Sequence, residues 1–98
     1  MLNETDIKQI IKDHLDELHS NYAVSKIGIF GSYVRNEQTA QSDVDILVQF
    51  SKPVGFIAFM QLEERLQELL GTRIDLVTHA ALKPRIGERI LKEVNYVQ

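Results

Sequence analysis

The apolar residues recur along the chain with more than one spacing, and the spacings divide it into elements. Ile7, Ile10, Ile11, Leu15 and Leu18 stand three or four residues apart, the period of one apolar helix face. Asn3 or Thr5 is placed to cap the start of that helix. Val24–Phe30 is short, β-branched and aromatic, and it halts at Gly31, which predicts a strand. Ser32–Glu37 suits a helical turn. The polar stretch Asn36–Ser42 then leads into Val44–Phe50, the strongest strand signal of the sequence, closed by Lys52-Pro53. Val54–Leu70 predicts a second long helix with Phe59, Leu62, Leu66, Leu69 and Leu70 facing inward and Gly71 ending it. Arg73–Thr78 reads as a third strand, and Pro84 opens a last helix that runs to about Val94. The order α-β-β-α-β-α predicts an α/β (α+β) fold: a small mixed sheet of three or more strands with helices packed on it.

Whole-chain numbers narrow the function. Ninety-eight residues, 44% apolar and 26% charged, suit one domain spanning 1–98 with one core, and leave no room for a separate substrate-recognition domain. With no cysteine, disulfides, thiolate zinc sites and thiol nucleophiles are excluded. The N-terminus lacks the basic flank and apolar stretch of a signal peptide. The longest apolar run, around Phe56–Met60, is far short of a membrane span. The expectation is a soluble cytoplasmic protein without membrane contact. A net charge of −3 argues against strong direct binding of nucleic acid, which requires clustered cations. Arg85, Arg89 and Lys92 nevertheless form one stripe on the last helix, either a solvated face or a strip facing phosphate or a partner. Phe56, Ile57 and Met60 widen the second helix's apolar stripe beyond one face and are either core or an exposed contact patch. His14 and His19 lack partners at ligand spacing and read as packing or surface residues.

The chemistry concentrates at strand ends. Residues two apart on a strand share a face, so Asp43 and Asp45 project together while Val44, Ile46, Val48 and Phe50 line the opposite, buried face. Two carboxylates so close raise each other's pKa unless a cation lies between them. Oxygen-only donors favour Mg²⁺ or Mn²⁺ over zinc. The plainer alternative is a solvated turn with capping duties. Gly31-Ser32 ends the preceding strand. Glycine there permits a sharp turn that brings N–H groups toward an anion, with the Ser32 hydroxyl as a further donor, although Gly-Ser alone is often only a turn. Asp75 interrupts the β-branched strand Arg73-Ile74-Asp75-Leu76-Val77. It either pairs with Arg73 or Arg35 or joins Asp43 and Asp45 on the same face. Ser32 as a nucleophile is poorly supported, since no His-Asp pair is placed to activate it.

Gly31-Ser32, ten residues, then Asp43-Val44-Asp45 followed by Ile46-Leu47-Val48 resembles the signature of the DNA polymerase β-like nucleotidyltransferase superfamily. Tyr33-Val34-Arg35 after Gly-Ser, Ser42 before the first aspartate, Ile74-Asp75-Leu76-Val77 and the total length resemble its minimal nucleotidyltransferase (MNT) antitoxin group. The resemblance covers nearly the whole chain. Asn36 stands where the group often has glycine, and asparagine tolerates the left-handed backbone such a turn needs. The resemblance implies that Asp43, Asp45 and Asp75 are catalytic and hold two Mg²⁺ ions. It also implies that Gly31, Ser32 and Ser42 bind the nucleotide, with ATP the default, and that the acceptor attacks the α-phosphorus and releases pyrophosphate. Arg35 is left between steadying the carboxylates and touching phosphate.

The same resemblance implies an antitoxin of a type VII-like pair that transfers AMP to a tyrosine of a HEPN-domain ribonuclease toxin. A chain this short borrows its acceptor from a partner. The rival expectation is a non-catalytic module that silences the toxin by covering it, and an adenylyltransferase for a small hydroxylated compound is disfavoured by the missing second domain.

Overall fold

The computed structural model describes residues 2–98. Its first apolar segment forms two helices, α1 (Glu4–Asp13) and α2 (Leu15–Tyr22), where the spacing predicts one. Asn3 caps α1 reciprocally: its side chain accepts the Asp6 N–H while Asp6 accepts the Asn3 N–H. At His14 the backbone leaves the helical region, its N–H bonds back to Ile11, and its ring Nδ1 donates to the Ile10 carbonyl at 2.8 Å. The apolar period continues across this joint, so the pattern could not reveal it.

Strands β1 (Val24–Phe30), β2 (Val44–Phe50) and β3 (Ile74–Thr78) lie where the sequence predicts them, as do helices α3 (Phe56–Leu70) and α4 (Pro84–Glu93). A two-residue strand β4 (Asn95–Tyr96), too short for any pattern, completes a sheet of order β3-β2-β1-β4. β1 is antiparallel to β2 and β4, whereas β2 and β3 are parallel. α3 therefore crosses over between parallel neighbours, as the geometry of a βαβ unit requires. The result is the mixed α+β architecture expected.

The core lies on the sheet face that α1, α2 and α3 cover. Ile7, Ile11, Leu18, Leu62 and Leu66 pack there against Ile27, Ile29, Val44, Ile46 and Val48, all nearly devoid of solvent contact. Arg65 of α3 clamps α2 through a two-pronged pair with Glu17, at 2.6 and 3.0 Å. The opposite sheet face is not left to solvent, and Leu47 is also buried. There the chain after α4 lies directly on β1: a Cβ at Gly28 would come within 2.7 Å of Val94 Cγ2 and 2.9 Å of the Asn95 carbonyl oxygen. Only glycine permits that approach. α4 itself leaves Ile86 and Leu91 exposed. Among the described residues, no helix is long and apolar enough to cross a membrane.

Candidate active site

The parallel register of β2 and β3 sets Asp45 directly opposite Asp75, with Val44 opposite Ile74. Side chains of paired residues on parallel strands project from the same face, so the two carboxylates are neighbours on the face that α4 borders. Asp43 precedes β2 at the same end. Its carboxylate pairs with Arg73 at 3.2 Å, and both groups are largely solvent-exposed. Arg73 also donates to the Gln41 carbonyl at 2.9 Å. Of the cations suggested as partners for Asp75, Arg73 is thus engaged by Asp43 and Arg35 by Glu37 and Glu93, and among the described residues Asp75 forms no ion pair.

Asp45 is the perturbed member of the cluster. Burial pushes its carboxyl up to about 6, Asp75 and then Asp43 push in the same direction, Arg35 opposes them and Glu93 adds to the rise. Burial is the main cause, and the charge repulsion comes first from Asp75 across the strand pair, with the same-strand Asp43 adding less. Gly31 makes it possible for Asp45 to sit where it does. Its φ is +80°, and a Cβ there would overlap Asp45 Oδ2, so the carboxylate lies directly against the turn that ends β1. Beyond turn geometry and phosphate approach, close packing against Asp45 is a further reason for glycine there.

That turn is a short 3₁₀ segment, Gly31–Tyr33, rather than a longer helical stretch. Asn36 follows with φ +58°, the left-handed conformation expected of it. The Gly31 N–H, expected to face an anion from solution, donates instead to Glu93 Oε2 at 2.8 Å. Ser32 is partly buried at the start of the turn, and among the described residues its hydroxyl makes no hydrogen bond. The Ser42 hydroxyl accepts the Thr39 N–H at 2.9 Å and so fastens the turn that leads into Asp43.

Two residues join the site that sequence reasoning left open or missed. Arg35 bonds Glu37 through Nε at 2.7 Å and Glu93 through Nη1 at 2.5 Å. Glu93, at the end of α4 and 62 residues from Gly31, carried no local motif. Its one signal is being acidic where the helix dipole favours a cation. Burial alone would raise its pKa, but the Gly31 N–H and the Arg35 guanidinium together hold it below the ordinary value. A cavity of about 290 Å³ opens beside Asp45, walled by Gly31, Arg35, Glu93 and, from α4, Ile86 and Arg89. Arg89 thereby separates from the rest of its cationic stripe.

The larger hollow, about 690 Å³, lies elsewhere. Phe50, Pro53, Val54, Phe56, Phe59 and His79 line it at the far end of β2, roughly 17 Å along the strand from Asp45. Phe56 on its rim is 76% exposed, and Ile57 and Met60 beside it on α3 are 72% and 42% exposed, so the three form a surface patch.

Among the described residues, no three His, Asp or Glu side chains form a ready-made metal cage. The donor set nevertheless fits a hard divalent cation. It consists of carboxylate oxygens without histidine, and such a cation would offset both the burial and the carboxylate repulsion that raise Asp45.

Comparison with known proteins follows the same lines. The nucleotidyltransferase domain family matches residues 9–97. Over 97 residues the chain is 46% identical to the protein adenylyltransferase MntA of Thermococcus cleftensis, covering 99% of this chain and 98% of that one. A solved chain assigned as a minimal nucleotidyltransferase superposes with a TM-score of 0.80 at 28% identity, covering 96% of this chain and 95% of its own. A chain from a toxin–antitoxin crystal structure with AMP-PNP superposes with a TM-score of 0.71 at 25% identity, covering 99% and 73% respectively.

Proposed function

The chain belongs to the nucleotidyltransferase domain family, and we propose that it transfers AMP from ATP to a tyrosine hydroxyl of a HEPN-type ribonuclease toxin, as the antitoxin of a type VII-like pair in the cytoplasm. The observation that carries this reading is the register that sets Asp45 against Asp75, beneath a glycine turn whose φ of +80° leaves room for the carboxylate. The adenylyltransferase relative and the similar chain crystallised with AMP-PNP support the choice of nucleotide and of reaction.

In this proposal Asp43, Asp45 and Asp75 hold Mg²⁺, two ions by family analogy, with Mn²⁺ an acceptable substitute. When bound, the metal supplies the positive charge that triphosphate transfer demands. Gly31 and Ser32 shape the turn against which the β- and γ-phosphates lie, and Ser42 fixes the loop that delivers Asp43. Asp75 takes part in activating the acceptor. The acceptor oxygen bonds to the α-phosphorus, the bond from that phosphorus to the bridging oxygen of the β-phosphate breaks, pyrophosphate leaves, and the hydroxyl proton passes to a carboxylate or to water. A phosphodiester on the toxin adds bulk and negative charge where RNA must bind.

A second reading has one observation in its favour. The exposed patch of Phe56 and Ile57 lies at the opposite end of β2 from the aspartates, so a partner can be held there without chemistry. Label transfer separates the two. With Mg²⁺ and the partner protein present, label from α-labelled ATP is expected on the partner with wild type and not with Asp45→Asn. Label from γ-labelled ATP would mean a kinase. Silencing by the Asp45→Asn protein without any transfer would leave the non-catalytic module as the better account.

A further inference from the structure

Glu93 sits where two electrostatic effects disfavour it. It ends α4, at the negative pole of the helix, and it adds a fourth carboxylate on the cavity that Asp45 borders, with Asp75 and Asp43 already near Asp45. Its compensation comes from two donors. Oε2 accepts the Gly31 N–H at 2.8 Å and Oε1 accepts Arg35 Nη1 at 2.5 Å. The Glu93 side chain is 22% exposed and that of Arg35 is 46% exposed, so the carboxylate is the more sheltered end of the pair.

Both donors act on Asp45. Gly31 packs directly against its carboxylate, and the direction of the Gly31 peptide sets the course of the turn that follows. Arg35 is the cation that opposes the rise in the Asp45 pKa. One carboxylate therefore fixes a backbone amide and a guanidinium relative to the residue between them. We infer that Glu93 is a positioning residue for nucleotide binding: it touches no reactant, and it acts by holding the Gly31 turn and Arg35 in register with Asp45. This rests on the nucleotidyltransfer reading above, from which its test can be separated.

The test uses the full chain as Glu93→Ala, Glu93→Gln, Arg35→Ala and the Arg35→Ala/Glu93→Ala double variant. Circular dichroism and melting report the fold. Titration with Mg·AMP-PNP reports binding without turnover, and α-label transfer gives KM and kcat. The Gly31 amide resonance of the nucleotide-free protein reports the hydrogen bond itself. Expected for Glu93→Ala are a folded protein, a shifted Gly31 amide and an affinity for Mg·AMP-PNP weaker by about tenfold, the size of a lost hydrogen bond to a charged group. KM for ATP should rise while kcat changes less. Glu93→Gln retains an acceptor for the Gly31 amide but not the charge facing Arg35, so it should recover part of the affinity. The double variant should bind no worse than the weaker single one, because the two residues work through one contact.

Unchanged binding in Glu93→Ala, or strictly additive losses in the double variant, overturns the inference. So does an equal loss in Ala and Gln variants that a drop in folded fraction accounts for. If wild type binds Mg·AMP-PNP but transfers no label, the catalytic reading fails while the binding comparison still decides the role of Glu93. If wild type binds no nucleotide, both fall.

Discussion

Replacing Gly31 by alanine tests the central packing relation of the site, and Gly71 provides its internal control. Both glycines have positive φ, +80° and +66°, but a Cβ at Gly71 meets nothing within 4 Å whereas one at Gly31 overlaps the Asp45 carboxylate. Forcing alanine into the left-handed region costs about 1–2 kcal/mol at either position. For a chain of this size each kcal/mol lowers the melting temperature by roughly 4–8 °C, so Gly71→Ala should melt roughly 5–15 °C lower with its activity intact. Gly31→Ala carries the same backbone cost plus about 1–3 kcal/mol for the steric overlap. Turning Asp45 about χ1 relieves that overlap only by moving its carboxylate away from Asp75. A displacement of that order lowers transfer by about a hundredfold or more. Scanning calorimetry and α-label transfer on the two variants suffice. If Gly31→Ala and Gly71→Ala lose equal stability and both retain activity, the claim that Asp45 depends on a missing side chain at Gly31 is wrong.

Asp45, raised to about 6 in the folded chain from an ordinary 3.8, binds its proton more tightly folded than unfolded. Its contribution to metal-free stability is therefore fully present below about pH 4 and is lost as pH rises through about 6. Urea titrations of Asp45→Asn against wild type should diverge in the variant's favour toward pH 8 and converge at pH 4, and parallel curves would refute the assignment. Mg²⁺ should stabilise wild type more at pH 8 than at pH 5 and leave an Asp43→Asn/Asp45→Asn protein unmoved, as measured by thermal shift. Leu66, with no solvent exposure in the main core, should cost about 2–5 kcal/mol as alanine, seen as a lower urea midpoint. Phe56→Asp with Ile57→Asp should leave melting within a few degrees, roughly the scatter of surface changes, yet weaken partner capture in a pull-down.

Legibility in the sequence followed the range of the forces involved. Strand and helix positions were readable because alternation and 3.6-residue spacing are local, and β1 and β2 fall where the pattern puts them. The joint at His14 was invisible because an apolar face can continue across a break. β4 is two residues long and pairs with β1 where Gly28 leaves room for the chain that follows α4. Asp43 and Asp45 stand out because residues two apart share a strand face, and Asp75 because a charge in a β-branched strand is conspicuous. That Asp75 lies opposite Asp45, and not one residue off, is a property of register, which the sequence does not display. Gly31 was noticed for its turn, but its contact with Asp45 required the fold. The engagement of its N–H by Glu93 also could not be anticipated, because the partner lies 62 residues away on a helix whose pattern shows only its amphipathic face.

The parallel pairing of β2 and β3 has one more consequence. Strand neighbours are about 4.8 Å apart whatever the connections between them, so the ladder, not a loop, sets the gap between Asp45 and Asp75. Insertions in the polar stretch before Ser42, or after α3, should leave that gap untouched. A slip of one residue between the strands would instead carry one carboxylate into the apolar interior. If the aspartates hold a divalent ion as proposed, its uptake would report whether the sheet has closed in its native alignment.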